Sequence, residues 1–213
     1  MLKSNFEKSY FDNNYSDYFR QNPAYKLRAI LSAIKRKHPK GRRLLDVGCG
    51  LGAFLDVAKS SGYSVSGADI SNFAVKFLSK KFSVKKCLIT RINYPSSSFD
   101  VITVLDVIEH VPNIDKALSE LKRVCKKGGL IVFTIPVYDG ITGKIVNIMD
   151  KDITHVNKFS RYKWLDIIGK RIEIIEWQGI IRYFFMKKHY LHIQTIFLRK
   201  ACPAILVICK NNK

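Results

Sequence analysis

The sequence predicts an α/β protein with a doubly wound, mostly parallel sheet. Three observations carry this prediction. Short apolar runs alternate with segments of helical periodicity across residues 41–136, a glycine-rich turn follows the first run, and the second run closes on an acid. Runs of this kind are strands buried on both faces, and the helices between them supply the crossovers that parallel pairing needs.

Taken in order, NPAYKLRAILSAIKRKH is a helix, with Asn22 placed to cap it and Pro23 in its first turn, and it leads into the first strand, RRLLDVG. LGAFLDVAKSSG reads as a helix that stops at Gly62, and YSVSGADI as the second strand. Ser71 caps the next helix, SNFAVKFLSKKF, which precedes a weaker strand around Val84–Ile89 and a strong one at Phe99–Leu105. Asn113–Val124 forms a further helix and GGLIVFTIP a fifth, fully buried strand. Beyond Pro136 the chain turns polar before Ser160 starts a helix, RIEIIEWQGI reads as a strand, and Pro203–Lys210 is the last strand. Between those two lies IRYFFMKKHYLHIQTIFLRK, aromatic and basic together, including Phe184, Phe185, Tyr190, Ile193 and Phe197. It is expected to pack against the sheet, with contact to an anionic membrane surface as the alternative.

With 213 residues, 47 % of them apolar, the chain suits one sizeable domain with a continuous core. No apolar run reaches the roughly 18 residues of a membrane span, and MLKSNFEKSYFDNNY lacks the apolar segment of a secretory signal, so a cytoplasmic protein is expected. The five cysteines form no CxxC pair and no histidine stands at ligand spacing, so neither a disulfide framework nor a metal site is expected. The formal charge of +20 is uneven: residues 1–43 carry +8, 44–140 carry +3 and 141–213 carry +9. Basic flanks around a nearly balanced centre attract anions such as nucleic acid, anionic lipid headgroups or phosphorylated sugars, although a solvated lysine-rich surface has the same composition.

The chemistry concentrates in LLDVGCGLGAFL. Gly48, Gly50 and Gly52 let the backbone approach a ligand and leave a helix N-terminus pointing at it. Gly48, Gly50 and Ala53 also satisfy a dinucleotide-binding pattern. Asp46 weighs against that reading, because an acid at the end of the first strand repels a pyrophosphate and attracts an ammonium group. Asp69 closes the second strand, where its carboxylate can accept from both hydroxyls of an adenosine ribose.

LLDVGCGLGAFL, then VSGADI, YPSSSFDVITVLDVIEHVPN and LKRVCKKGGLIVFTIP, resemble in that order the class I S-adenosylmethionine-dependent methyltransferases. Within them the E-H-V tripeptide resembles the small-molecule group that includes ubiquinone-biosynthesis-type O-methyltransferases. The resemblance implies a seven-stranded sheet with an antiparallel last strand, in one domain: an N-terminal helical lid over 1–40, a cofactor-binding core over 41–136, and a substrate-side insertion with C-terminal strands over 137–213. It also implies that Asp46 and the turn Gly48, Cys49, Gly50 and Gly52 hold the methionine part of S-adenosylmethionine. Asp69 would hold the ribose, Ile70 would lie against the adenine, and Leu105 would offer its carbonyl to the ammonium group. Many relatives place an acid where this chain has Leu88, so adenine recognition is expected to use backbone groups near Leu88 and Ile89. The leading YFDNNYSDYF resembles the helix that folds over the cofactor in this group, with Tyr18 or Arg28 to meet the methionine carboxylate.

Ligands of an open parallel sheet lie beyond the carboxyl ends of its strands, which directs attention to Asp106, Glu109, His110 and the insertion after Pro136. Methyl transfer needs chiefly an aligned nucleophile, and a base only where the acceptor loses a proton. His110 is the first candidate for that base, and His155, oriented by Asp152, the second. Packing or capping is the alternative role for each, and Glu109 reads as a salt-bridge partner. Three functions follow: methyl transfer to a hydroxyl or amine of a small-molecule, glycan or lipid-linked acceptor; methylation of RNA, for which the basic flanks speak but no RNA-binding module does; or a cofactor-binding subunit without turnover.

Overall fold

The run Arg43–Val47 forms strand β1 at the middle of an eight-stranded sheet, and its alternate side chains are buried on opposite faces. The computed structural model describes residues 6–14, 17–37, 41–150, 152–185 and 189–213, with backbone alone at 13–14, 149, 183–185 and 189–190. The other strands are β2 (Ser64–Asp69), β3 (Ser83–Lys86), β4 (Phe99–Leu105), β5 (Cys125–Pro136), β6 (Glu173–Phe185), β7 (His189–Thr195) and β8 (Ala204–Lys210), in spatial order β3-β2-β1-β4-β5-β8-β6-β7. The first five pair in parallel, while β8 runs antiparallel to β5 and β6, and β7 antiparallel to β6. Strand order reverses between β1 and β4, which opens a crevice beyond their carboxyl ends.

The helices are α1 (Lys8–Asn14), α2 (Tyr18–Gln21), α3 (Ala24–Lys37), α4 (Ala53–Ser60), α5 (Asn72–Leu78), α6 (Ile114–Val124), α7 (Gly140–Met149) and α8 (Arg161–Gly169). Strand alternation divides the core. Leu45, Ile102 and Ile131 meet Leu118 and Leu121 of α6 and Trp164 of α8 on one face; Leu44, Val101 and Leu130 meet Ile30 and Ile34 of α3 and Phe54 of α4 on the other. Predicted caps form at Ser71, which accepts from the Ala74 amide at 3.2 Å, and at Ser160, which accepts from Lys163 at 3.2 Å. Asn22 differs: its side chain donates to the Tyr18 carbonyl and accepts from the Lys26 ammonium group instead of capping α3.

Two expectations are corrected. The sheet has eight strands and not seven, because β6 continues to Phe185 and the aromatic and basic segment folds back on it as β7. That segment lacks clean alternation, since Arg182 on β6 and His192 on β7 take part in a polar cluster where a packed hairpin would place apolar residues. The polar stretch after Pro136 holds a helix, α7, entered through the extended residue Asp139. All five cysteines are free thiols, and among the described residues no helix is long and apolar enough to cross a membrane.

Candidate active site

The turn between β1 and α4 is built on positive φ angles: 75° at Gly48, 51° at Gly50 and 82° at Gly52, values that any larger side chain adopts at a cost. The close neighbours add a second requirement, because a Cβ on Gly48 would stand 2.3 Å from Val107 Cγ2 and one on Gly50 would stand 3.0 Å from the Tyr18 hydroxyl. The turn is tied to the end of β2. The Gly48 amide donates to the Ala68 carbonyl at 2.7 Å, and the Gly50 amide donates to Asp69 Oδ2 at 2.8 Å. Asp69 also accepts from the Ser71 amide at 2.9 Å, so this acid braces the turn as well as facing the crevice, a duty the spacing alone did not disclose. A carboxylate has about four lone-pair positions, so these amide bonds leave accepting capacity for a ligand.

Above this turn lies a cavity of about 1060 Å³, whose lining includes Asp46, Gly48, Cys49, Gly50, Asp69 and Leu105 as well as His110 and His155. Ile70, Leu88 and Tyr18 also line it; Gly52 lies beneath, as the N-cap of α4, and Arg28 does not reach it. Arg28 is exposed because two residues of helix rotate it by roughly 200° from Lys26, which is buried and faces the cavity instead. Tyr10 and Phe11 of α1 cover one side, and Tyr18 donates its hydroxyl to the Cys49 carbonyl at 3.3 Å. Tyr15, the tyrosine between Tyr10 and Tyr18 in the leading YFDNNYSDYF segment, lies outside the described residues.

Burial sets the charges. It pushes the Asp46 carboxyl up to about 7, opposed by a 2.7 Å hydrogen bond from the Thr103 hydroxyl and reinforced by the nearby Asp69. Asp69 is pushed up to about 6 by the same desolvation, against the pull of its amide donors. Two carboxyls this reluctant to ionise, side by side, favour a cationic ligand. Across from them, Asp106 sits at φ 53° just past β4 and accepts from Arg182 Nη1 of β6 at 2.8 Å. Burial works to raise the Asp106 pKa, but Arg182 and Lys26 together bring it below the ordinary value; burial also lowers the Lys26 ammonium group to about 8. Sequence reasoning missed Lys26 and Arg182. The first lay two residues from the arginine chosen, and the second in a segment read as packing.

At the acceptor end, His110 Nδ1 stands 3.1 Å from the Thr154 carbonyl and 2.9 Å from its hydroxyl. A carbonyl only accepts, so Nδ1 carries the proton and Nε2 the lone pair. Burial and the neighbouring His155 lower the His110 pKa, which leaves it neutral at pH 7. The two imidazoles lie 4.6 Å apart, centroid to centroid. His155 Nδ1 is 2.8 Å from Asp150 Oδ2, and the Tyr138 hydroxyl donates to the same oxygen at 2.7 Å. The orienting acid of His155 is therefore Asp150 and not Asp152. Asp152 accepts from the Thr154 amide and hydroxyl and from the Tyr10 hydroxyl, so it steadies the partner of His110 instead.

Glu109 carries no salt bridge among the described residues: both carboxyl oxygens are buried without a hydrogen-bond partner, and desolvation with the Asp106 charge raises its pKa well above normal. Ligand atoms of Glu109, His110 and His155 lie within 4.8 Å of one another, a donor set the sequence spacing did not suggest. A carboxylate binds a cation in its ionised form, which burial of Glu109 disfavours.

A family model described as a methyltransferase domain matches residues 18–178. A ubiquinone biosynthesis O-methyltransferase of Thiobacillus denitrificans is 34% identical over 103 residues, 44% of this chain and 44% of that protein. A 2-methyl-6-phytyl-1,4-hydroquinone methyltransferase of Synechocystis is 35% identical over 103 residues, 44% of this chain and 32% of that protein. The matched regions thus span less than half the length of these curated relatives. Among solved structures, an S-adenosylmethionine-dependent methyltransferase of Thermotoga maritima has a TM-score of 0.72 at 20% identity, covering 95% of this chain and 97% of that one.

Proposed function

The chain belongs to the methyltransferase-domain family, and from that premise we propose that it transfers the methyl group of S-adenosylmethionine to a hydroxyl or amine of a small-molecule, glycan or lipid-linked acceptor. The observation that carries the reading is the continuity of one cavity from the Asp46 and Asp69 carboxyls to the imidazoles of His110 and His155. When bound, the cofactor supplies an electrophilic methyl on a positively charged sulfur.

The residues present fit that cofactor. The glycine turn brings its backbone to the wall of the cavity, and Asp46, reluctant to ionise alone, gains a counter-charge from an ammonium group. Arg182, held by its hydrogen bond to Asp106, and Lys26, held by the Gln21 carbonyl and the Asn22 side chain, supply positive charge for the methionine carboxylate. Asp69 accepts from the ribose hydroxyls with its remaining lone pairs, and backbone groups around Leu88 and Ile89 face the adenine. His110, neutral and fixed through Nδ1, takes the acceptor proton at Nε2. His155, held by Asp150, orients the acceptor or takes the proton in its place.

Incubating the full chain with methyl-labelled cofactor and fractionated cell extract tests the reading. Label is expected in a small organic or lipid species, with stoichiometric formation of S-adenosylhomocysteine. Label confined to RNA or protein, or cofactor bound without turnover in every fraction, would overturn it.

A further inference from the structure

Helix α7 turns three isoleucines outward. Ile141, Ile145 and Ile148 recur at helical spacing on one face, and Ile141 and Ile148 are each 82% exposed. The turn after β7 does the same with Ile196, Phe197 and Leu198, where Phe197 is 98% exposed. The two segments are tied to each other, because the Thr142 hydroxyl donates to the Ala201 carbonyl at 2.8 Å. A buried arginine fixes both: Arg161 donates to Asp139 at 2.8 Å, immediately before α7, and to the carbonyls of Arg199 at 2.5 Å and Cys202 at 3.2 Å. Apolar side chains held outward on an anchored frame mark an interaction face.

Charge identifies the partner. α7 has no acidic residue and carries Lys144; Arg199 and Lys200 directly follow the Ile196–Leu198 turn, and the sequence from Trp177 to Lys213 contains no acid. The nearest acids are engaged inside the protein, Asp139 by Arg161, and Asp150 by Tyr138, His155 and Lys158. Exposed apolar side chains with cations and no anions suit the boundary of an anionic bilayer, where the first enter the acyl region and the second meet the headgroups. We propose that α7 and the Ile196–Leu198 turn dock this protein onto an anionic lipid surface. The inference rests on the surface alone and does not depend on methyl transfer.

Cosedimentation of the full chain with vesicles tests it, using equal parts phosphatidylglycerol and phosphatidylcholine against phosphatidylcholine alone, at low and high salt. Binding is expected to the anionic vesicles only and to weaken with salt. The double substitution Ile141→Ser with Ile148→Ser, and separately Phe197→Ser, should each weaken binding about tenfold or more while leaving the melting temperature unchanged. No binding to anionic vesicles at low salt, or equal binding by both variants, would overturn the proposal. So would a wild-type dimer that the same substitutions split, since a second copy would then occupy this face.

Discussion

Asp46→Asn should stabilise the ligand-free protein while weakening its hold on the cofactor. The folded carboxyl titrates near 7 against an ordinary value of 3.8, because burial disfavours its charge. For an acid whose folded pKa is raised, the unfolded chain ionises first. The native state is therefore penalised progressively as pH rises from about 4, and fully once pH exceeds about 7. At about 1.36 kcal/mol per unit, the penalty approaches an upper bound of about 4 kcal/mol at pH 8 and falls below about 2 kcal/mol at pH 5. Asparagine avoids it and keeps an oxygen for the Thr103 hydroxyl, which now donates to Asp46 at 2.7 Å. Urea denaturation at the two pH values measures the difference between variant and wild type. In the same variant, loss of a charge-assisted contact to an ammonium group should weaken cofactor binding by about 1.5–3 kcal/mol, roughly 10- to 150-fold. A variant destabilised at pH 8, or stabilised equally at both pH values, would refute the argument that Asp46 is a buried acid awaiting a cation.

His110→Gln should lower the rate by about 10² to 10⁴ with cofactor affinity unchanged; the wild-type rate should level off at a pH below the usual histidine range, since burial lowers the His110 pKa, and stopped-time assays across pH check both. Gly48→Ala combines a left-handed φ of 75° with a 2.3 Å approach to Val107, so it should cost about 1–3 kcal/mol in urea denaturation, and Val107→Ala in the same chain should restore the part due to the clash. Leu88→Asp, placing an acceptor beside the adenine end of the cavity, should tighten cofactor binding by roughly twofold to tenfold in a titration.

The parallel core was legible because its strands are nearly continuous apolar runs, and the turn was legible because its glycines meet a geometric need that few other residues satisfy. What escaped the sequence has physical reasons. Period-two reading does not detect an edge hairpin whose residues Arg182 and His192 serve a polar cluster, so β7 went unseen. Helical rotation separates Lys26 from Arg28 by more than half a turn, yet residue type alone ranks them equally. Asp150 and Asp152 flank the same loop, and only its path decides that the first orients His155 while the second braces Thr154.

Titration calorimetry of the full chain with S-adenosylmethionine at pH 8 tests the central claim most directly. One molecule should bind per chain, S-adenosylhomocysteine should displace it, a nicotinamide dinucleotide should not compete, and Asp69→Ala should abolish the heat. No binding at millimolar cofactor, or preference for the dinucleotide, would contradict the account of this cavity.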